Sequence, residues 1–235
     1  MLPVVILAGG LATRLYPKTL QVPKSLIEVD GLPFIHYQLL LLKEKGVNQV
    51  VLCVGHFGTM IEEYVGDGSR FCLKVTYSYD GDALLGTGGA IKKATPLLPD
   101  SFMIQYGDSY LDVDYSKIQQ HFYAGDFPVL MTVFRNRNMF DSSNVIVKDG
   151  RILKYDKKDR DPAMEYIDYG LIIIRKNIFD AYPAHESFDL SLVMSQSVDA
   201  GQVAAYEVTN RFFEIGSVEG IKETGDYIRN RRPHS

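Results

Sequence analysis

Short apolar runs alternate with helical patterns along the first 136 residues, and this alternation constrains the fold more than any other feature. The runs have the length of buried strands, and the segments between them are long enough for helices. The predicted strands cover residues 3–8, 48–55, 73–79, 101–108 and 128–136, and the predicted helices cover 33–46, 59–68, 87–98 and 115–125. A repeated strand–helix order predicts a mostly parallel sheet with helices on both faces.

The rhythm of the sequence changes after residue 136. Residues 144–158 have the pattern of a hairpin that turns at Asp149-Gly150. Three further strands are predicted at 166–175, 202–208 and 211–216, and two further helices at 188–201 and 218–230. We therefore predict an α/β protein of a single domain, 1–235, with a Rossmann-like three-layer α/β/α arrangement around a mixed, mostly parallel sheet.

The composition limits the kinds of partner that the protein is expected to bind. The net charge is −4, so general attraction to nucleic acid is not expected. No apolar run approaches the roughly 18 residues of a membrane span. The apolar start of the chain runs directly into Gly9-Gly10 without a cationic segment before it, unlike a secretory signal. We expect a cytoplasmic protein that binds neither nucleic acid nor membrane.

Neither the two cysteines nor the arginines of the tail are predicted to form a binding site. Cys53 and Cys72 lie in apolar, strand-like contexts without a CxxC pair, so both are expected to be free, buried thiols in a reducing compartment. The arginines of the tail are expected to be solvated on the last helix. These arginines are Arg229, Arg231 and Arg232.

Residues 7–26, LAGGLATRLYPKTLQVPKSL, form a cationic loop directly after the first strand. Open parallel sheets bind ligands beyond the carboxyl ends of their strands. Gly9 and Gly10 allow backbone N–H groups to approach an anion, and Arg14 and Lys24 add full positive charges. Phosphate is the anion that this combination suits. The loop matches neither GxxxxGK[ST] nor GxGxxG, so neither a Walker NTPase nor a dinucleotide-binding protein is predicted.

This stretch resembles the signature of the sugar-1-phosphate nucleotidyltransferases, or nucleotide-sugar pyrophosphorylases, which is L-A-G-G-x-x-T-R-L-x-P-x-T-x-x-x-P-K-x-L. The resemblance implies a GT-A-like fold, with a nucleotide-binding part at 1–135 and a sugar-binding part with the C-terminal helix at 136–235. The matching residues are Leu7, Ala8, Gly9, Gly10, Thr13, Arg14, Leu15, Pro17, Thr19, Pro23, Lys24 and Leu26. The first four are implied to contact the nucleotide.

Further segments follow in the order of that family. LLGTGGAIKKA resembles the family's G-T-(A/G)-G segment, which implies nucleotide contacts from Gly86, Thr87 and Gly88. YGDSYLDVDY places Asp108 at the family's Gly-Asp metal ligand. FFEIGSVEG places Glu214 where the family has its second metal-binding aspartate. Carboxylate oxygens suit Mg²⁺, the implied cofactor, and this glutamate is one methylene longer than the family's aspartate.

Two segments resemble the sugar side of the family's site. KYDKKD offers Asp156 and Lys157 for the family's Glu-Lys-Pro element, without the proline. IDYGLIII resembles the family's Asn-Ala-Gly-Ile-Tyr strand, with Asp168, Tyr169 and Gly170 in its first three positions. We expect Asp168 to accept hydrogen bonds from sugar hydroxyls and Gly170 to leave room for the sugar.

The implied reaction converts an NTP and a sugar 1-phosphate to an NDP-sugar and pyrophosphate. The sugar phosphate is already a nucleophile, so catalysis requires positioning and neutralisation of charge. Arg14 is assigned to the triphosphate and the transition state. Lys24 is assigned to the α-phosphate and the sugar phosphate.

The substrates and two other functions stay open. LGTGGA and the compact size favour GTP with a manno-configured 1-phosphate, either heptose or mannose, while uridylyl, cytidylyl and thymidylyl transfer remain alternatives. The DVD at 112–114 is a DxD, so a GT-A glycosyltransferase is one competing interpretation, and a non-catalytic nucleotide-sugar-binding homologue is another. The oligomeric state is also open, because many members of the family associate into homo-oligomers.

Overall fold

The computed structural model describes residues 1–10, 22–159 and 161–231. Most of the cationic loop therefore lies outside the described residues. The structure therefore does not test the predictions for Arg14 or for the loop positions Thr13, Leu15, Pro17 and Thr19. Arg232, in the tail, also lies outside the described residues.

The described residues contain every predicted strand and helix, together with three two-residue strands at 28–29, 32–33 and 109–110 that the sequence pattern does not predict. The strands are β1 Val4–Leu7, β2 Glu28–Val29, β3 Leu32–Pro33, β4 Gln49–Val54, β5 Lys74–Tyr79, β6 Ser101–Tyr106, β7 Ser109–Tyr110, β8 Val129–Phe134, β9 Val145–Lys148, β10 Arg151–Tyr155, β11 Ile167–Arg175, β12 Val203–Val208 and β13 Phe213–Glu214. The helices are α1 Phe34–Glu44, α2 Gly58–Val65, α3 Gly86–Ala94, α4 Tyr115–Ala124, α5 Leu190–Asp199 and α6 Val218–Arg231.

The central sheet of the described residues has nine strands in the order β5-β4-β1-β6-β11-β8-β12-β10-β9. The pairs β5–β4, β4–β1, β1–β6 and β8–β12 are parallel. The pairs that involve β11 or β10 are antiparallel, so these two strands run against the other seven. The predicted mixed, mostly parallel sheet is confirmed, and strands from both halves of the chain share it.

Helices cover both faces of this sheet, so its central strands are buried on both sides. In β1, Val4 and Ile6 face the cluster that contains α1, α2 and α4, whereas Val5 faces the cluster that contains α3 and α5. A third apolar cluster joins α6 to α1 and to the short β2–β3 hairpin. The predicted three-layer α/β/α arrangement is therefore confirmed. In the part of the chain that the structure describes, none of the helices has the length and hydrophobicity required to cross a bilayer.

The local signals act as expected at three element ends. Pro33 caps the start of α1, and Gly46 follows its end with a φ of +85°. Asp149 and Gly150 both have positive φ, as the tight turn between β9 and β10 requires. The helix that begins at Gly86 ends at Ala94, two residues before Pro96, because proline cannot donate the next helical hydrogen bond.

The two cysteines differ in burial. Cys53 is buried in β4 and its thiol faces the carbonyl of Ala90 at 3.6 Å. The prediction of a buried Cys72 is wrong, because its side chain is exposed. Cys72 ends a 3-10 turn with a φ of +55°, and the next residue, Leu73, takes the inward position.

An ionic cluster fastens the end of α6 to the body of the protein. Asp112 accepts a hydrogen bond from the guanidinium of Arg231. It also contacts the ammonium of Lys45 at 2.5 Å and accepts a hydrogen bond from the hydroxyl of Tyr227 at 3.0 Å. The guanidinium of Arg231 also pairs with Glu44 on α1. The expectation that Arg231 is solvated is therefore wrong, since its side chain is only 27% exposed.

The other carboxylate of the DVD motif has a different structural role. Asp114 caps the start of α4, and its Oδ1 accepts hydrogen bonds from the N–H groups of Ser116 and Lys117. Asp112 therefore accepts from donors on α6 and at the end of α1, and Asp114 accepts from donors at the start of α4. This use of both carboxylates argues against the DxD interpretation of the motif.

We predict that Asp112→Asn lowers the free energy of unfolding by about 1–3 kcal/mol at pH 7, because Arg231 and Lys45 lose their shared anion. Burial raises the pKa of Asp112, but the hydrogen bonds from Lys45, Arg231 and Tyr227 outweigh burial and leave this pKa below its ordinary value. A carboxyl whose folded pKa is lowered stabilises the fold above its unfolded pKa of about 3.9, and this contribution is lost as the pH falls through the folded pKa. Urea unfolding of both proteins at pH 7 and at decreasing pH measures the difference.

Asp114→Asn is the matched control, because asparagine caps a helix about as well as aspartate does. It should change the free energy of unfolding by less than about 0.5 kcal/mol. Equal stability of Asp112→Asn and the wild type at neutral pH would contradict the assigned role of the cluster.

Candidate active site

A cleft of about 450 Å³ opens at the carboxyl ends of β1, β4 and β6. We call it the first cleft. Among the described residues, the predicted ones that line it are Leu7, Ala8, Gly9, Gly10, Lys24, Gly86, Thr87, Asp108 and Lys157. The first strand and its glycines therefore lie at the edge of the sheet where open α/β proteins bind ligands.

A second cleft of about 340 Å³ lies beside the first. Tyr106, Asp108 and Lys157 line both clefts, so these three residues mark the junction between them. The other predicted residues that line the second cleft are Asp156, Asp168, Tyr169 and Glu214. The predicted nucleotide residues and the predicted sugar residues thus fall mainly into two adjacent cavities.

Lys24, Asp108 and Glu214 form a charged cluster at this junction. The ammonium of Lys24 is 2.7 Å from Oδ2 of Asp108, and the hydroxyl of Ser109 donates to Oδ1 at 3.3 Å. Pairing of β7 with β13 places Glu214 opposite Ser109. A Cβ on Gly216 would lie 3.2 Å from Oε1 of Glu214 and 3.7 Å from the Lys24 nitrogen, so the three charges are close together.

The donor set of this cluster fits Mg²⁺ bound together with substrate phosphates. Within the described ranges, no group of three His, Cys, Asp or Glu side chains is arranged to hold a metal ion. Mg²⁺ typically uses one or two carboxylates and completes its shell with water and phosphate oxygens. Asp108 and Glu214 supply two such carboxylates, and the Lys24 ammonium shows that Asp108 attracts a cation at this point.

The glycines at the start of α3 divide between the cleft and the protein interior. Gly86 and Thr87 line the first cleft, whereas Gly88 packs against Phe188. A Cβ on Gly88 would meet the Phe188 ring at 2.4 Å, and the N–H groups of Gly88 and Gly89 both donate to the Phe188 carbonyl. Gly88 thus packs against the segment that precedes α5, and the nucleotide contact implied for it is not supported by a place in the first cleft.

Asp156 and Lys157 stand at the end of β10 and serve different purposes. Oδ1 of Asp156 accepts hydrogen bonds from the N–H groups of Lys158 and Asp159, which form a turn and lower the pKa of Asp156. Lys157 reaches the junction, where its ammonium lies 3.3 Å from the hydroxyl of Tyr106. Asp156 therefore stabilises the turn that follows β10, and Lys157 places a positive charge at the junction of the clefts.

Asp168 is a buried carboxylate with partners on several elements. Its Oδ2 accepts hydrogen bonds from the hydroxyls of Tyr106 at 2.6 Å and Tyr155 at 3.3 Å, and its Oδ1 accepts from the Gly170 N–H. Burial, followed by the charge of Asp168, raises the pKa of Tyr106 well above its ordinary value, and the pKa of Tyr155 is raised in the same way. Both phenols therefore keep their protons at neutral pH and donate hydrogen bonds to Asp168.

Tyr169 and Gly170 contribute mainly to packing. Tyr169 is buried, its ring meets Phe212 edge to face, and its hydroxyl is 3.5 Å from the carbonyl of Arg211. Gly170 has a φ of +96°, and a Cβ at this position would lie 3.1 Å from the Tyr106 ring. The expected room for a sugar at Gly170 is therefore filled by Tyr106.

Among the polar residues that sequence reasoning missed are Tyr106, Asp80 and Asp189, which line the first cleft, and Tyr155, which contacts Asp168 from outside both clefts. Tyr106 is the last residue of β6 and Asp80 directly follows β5, and the carboxyl end of a strand is a position that signals ligand contact in parallel sheets. Asp189 caps α5 through its hydrogen bond from the Ser191 N–H. Burial raises the pKa of Asp80, which lines the first cleft.

A scan of protein-family models matches the nucleotidyl transferase family over residues 3–230. The UTP–glucose-1-phosphate uridylyltransferase of Synechocystis sp. is 30% identical, with the alignment covering 96% of this chain and 62% of that relative. The D-glycero-α-D-manno-heptose 1-phosphate guanylyltransferase of Campylobacter jejuni is 26% identical over 92% of this chain and 95% of its own length. Among solved structures, HddC from Yersinia pseudotuberculosis complexed with GMP-PN has a TM-score of 0.82 at 28% identity, covering 97% of this chain and all of that one.

One class of protein accounts for the two adjoining clefts, for Lys24 and Lys157 at their junction, and for these matches. The chain belongs to the nucleotidyl transferase family, within its sugar-1-phosphate nucleotidyltransferases. The relatives named above differ in nucleotide and in sugar, so family membership leaves both substrates open.

Gly107 has no room for a side chain, because a Cβ there would lie 2.2 Å from the carbonyl oxygen of Leu7. We predict that Gly107→Ala forces β1 and β6 apart and lowers the free energy of unfolding by about 1–3 kcal/mol. Gly125→Ala is the matched control, since its nearest atoms would be 3.8 Å away and its φ is −105°. Urea unfolding compares the two variants. Equal free energies of unfolding for the two variants would contradict the predicted clash between a side chain at position 107 and the carbonyl of Leu7.

Proposed function

We propose that the protein transfers a nucleotidyl group from an NTP to a sugar 1-phosphate and releases pyrophosphate. The preferred pair is GTP with a manno-configured 1-phosphate, either heptose or mannose. The observation that carries the proposal is the junction of the two clefts, where Lys24, Asp108 and Lys157 gather. In this proposal the first cleft holds the nucleotide and the second cleft holds the sugar.

The mechanism requires charge and alignment rather than a covalent intermediate. Lys24 and Lys157 lie where the phosphates of the two substrates would meet, and they would reduce the repulsion between the attacking phosphate and the α-phosphate. Arg14 is proposed to act on the triphosphate, on the basis of its place in the family signature. Asp156, Asp168 and Tyr169 form one wall of the proposed sugar cleft.

Mg²⁺ is proposed as the cofactor, with Asp108 and Glu214 as its protein ligands. When bound, the ion would neutralise charge on the phosphates during an in-line displacement. Lys24 pairs with Asp108 in this structure. The lysine is therefore close enough to exchange that carboxylate for a phosphate when substrate binds.

Two observations support guanine as the base. The heptose 1-phosphate relative is named a guanylyltransferase, and the structural neighbour was solved with GMP-PN. Asp80 adds a partly buried carboxylate to the wall of the first cleft. Guanine carries two neighbouring N–H donors that a carboxylate can accept together, whereas uracil carries one. Uridylyl transfer, as in the name of the Synechocystis relative, is the first alternative.

The test is release of pyrophosphate from a matrix of five NTPs and four sugar 1-phosphates in the presence of Mg²⁺. The nucleotides are GTP, UTP, CTP, dTTP and ATP, and the sugars are mannose, glucose, N-acetylglucosamine and manno-heptose. We predict the highest kcat/KM for GTP with mannose or manno-heptose 1-phosphate. A higher value with UTP would transfer the proposal to the uridylyl class. Nucleotide binding without turnover in any combination would favour the non-catalytic homologue.

The metal assignment predicts a specific change in cation dependence. Chelation with EDTA should abolish turnover, and added Mg²⁺ should restore it. Asp108→Asn and Glu214→Gln should each raise the Mg²⁺ concentration for half-maximal rate by about tenfold or more, because each removes one of two protein ligands. Asp141→Asn is the matched control, since this carboxylate also lines the second cleft but is assigned no ligand role. The same Mg²⁺ dependence in all three variants would contradict the assignment.

A further inference from the structure

We propose that Tyr106 is a positioning residue for Lys157, and that Tyr155 supports it through the shared carboxylate of Asp168. This inference rests on the proposed function in one respect, namely that Lys157 contacts a phosphate at the junction of the clefts. Its structural basis is a chain of side chains that leads from the interior of the sheet to the junction.

The contacts give this chain a direction. The Tyr106 hydroxyl donates to Asp168 at 2.6 Å, so its remaining lone pairs are available to the Lys157 ammonium at 3.3 Å. A phenol that donates to a carboxylate becomes a stronger acceptor, because hydrogen bonds in a chain polarise one another. The ammonium also lies 4.8 Å from the centre of the Tyr106 ring, within the range of a cation–π contact. Tyr106 therefore holds Lys157 by its oxygen and by its ring.

Lys157 and Lys24 differ in their contacts with carboxylates. Lys24 is in direct contact with Asp108, whereas no carboxylate of the described residues lies within 4.0 Å of the Lys157 nitrogen. The phenol of Tyr106 links Lys157 to Asp168, and the negative charge of Asp189 also acts on Lys157. An ammonium that is held in place without a direct ion pair is suited to bind a phosphate that arrives from either cleft.

Tyr155 has a contact pattern that separates support from direct binding. It is buried and belongs to neither cleft as the described residues form them, yet its hydroxyl donates to the same oxygen of Asp168 at 3.3 Å. Asn144 fixes the backbone of Asp168 by accepting its N–H at 2.9 Å. Loss of the Tyr155 hydroxyl should therefore weaken the hold on Tyr106 without removing any atom from the cleft walls.

A double-mutant cycle tests whether Tyr106 acts through Lys157. The variants are Tyr106→Phe, Lys157→Met and the two combined, with Tyr155→Phe as a fourth protein. Steady-state kinetics give KM for the sugar 1-phosphate and for the NTP. Calorimetry gives the affinity for mannose, glucose, N-acetylglucosamine and manno-heptose 1-phosphates and for inorganic phosphate, so the cycle can be read without turnover.

We expect Tyr106→Phe to raise the KM for the sugar 1-phosphate about tenfold, as loss of one charge-assisted hydrogen bond does. The KM for the NTP should stay within about twofold, because the ring that lines the first cleft is retained. The combined variant should lose no more than Lys157→Met alone. Tyr155→Phe should raise the same KM by a smaller factor. Tyr37→Phe is the matched control, since its buried hydroxyl donates at 2.8 Å to the carbonyl of Asp30, away from both clefts.

Three outcomes would contradict the inference, and a fourth would contradict only the proposed function. Losses that multiply in the combined variant would show that Tyr106 acts independently of Lys157. A Tyr106→Phe protein with wild-type affinity would show that the hydroxyl positions nothing, and so would wild-type protein that binds none of the five phosphate probes. Non-additive binding in a protein that turns over no substrate pair would overturn the proposed function and leave the positioning role intact.

Discussion

The position of β6 between a parallel neighbour and an antiparallel neighbour is the constraint on which the site depends. β1 pairs with β6 on one side, with Leu7 opposite Tyr106, and β11 pairs with it on the other, with Leu171 opposite Gln105. The chain that leaves β6 therefore emerges between a strand that leads to the first cleft and a strand that borders the second. Tyr106 and Asp108 line both cavities because the sheet gives the end of β6 two different sides.

Periodicity predicted the elements well, since the central strands bury both faces and several element ends carry clear signals. Pro33, Gly46 and the Asp149-Gly150 turn all mark boundaries by backbone geometry that few other residues share. The order of strands in space was not accessible in the same way. Nothing local in residues 167–175 shows that this strand enters the middle of the sheet and runs against its neighbours, because pairing depends on segments far apart in the sequence.

Resemblance to a family placed Lys24, Asp108 and Lys157 at one point, but the roles of other motif residues depend on partners that a motif does not reveal. Gly88 meets Phe188, a residue one hundred positions later in the chain. Asp168 is engaged by two tyrosines from different strands, so its carboxylate is part of the wall before any sugar binds. Asp112, which the DxD pattern singled out, is used by the C-terminal helix. Charge and spacing alone give the same signal for a ligand and for a structural ion pair.

The late insertion of β11 also has a kinetic consequence. β8 follows β6 in the chain but does not pair with it, and the gap between them is filled only by residues 167–175. Until that strand is synthesised and paired, β6 and β8 each expose a buried apolar strand with an open backbone edge. Unpaired edges of this kind are where newly made chains associate wrongly. The strand that borders the second cleft in the native protein is thus also the strand that covers these two open edges during folding.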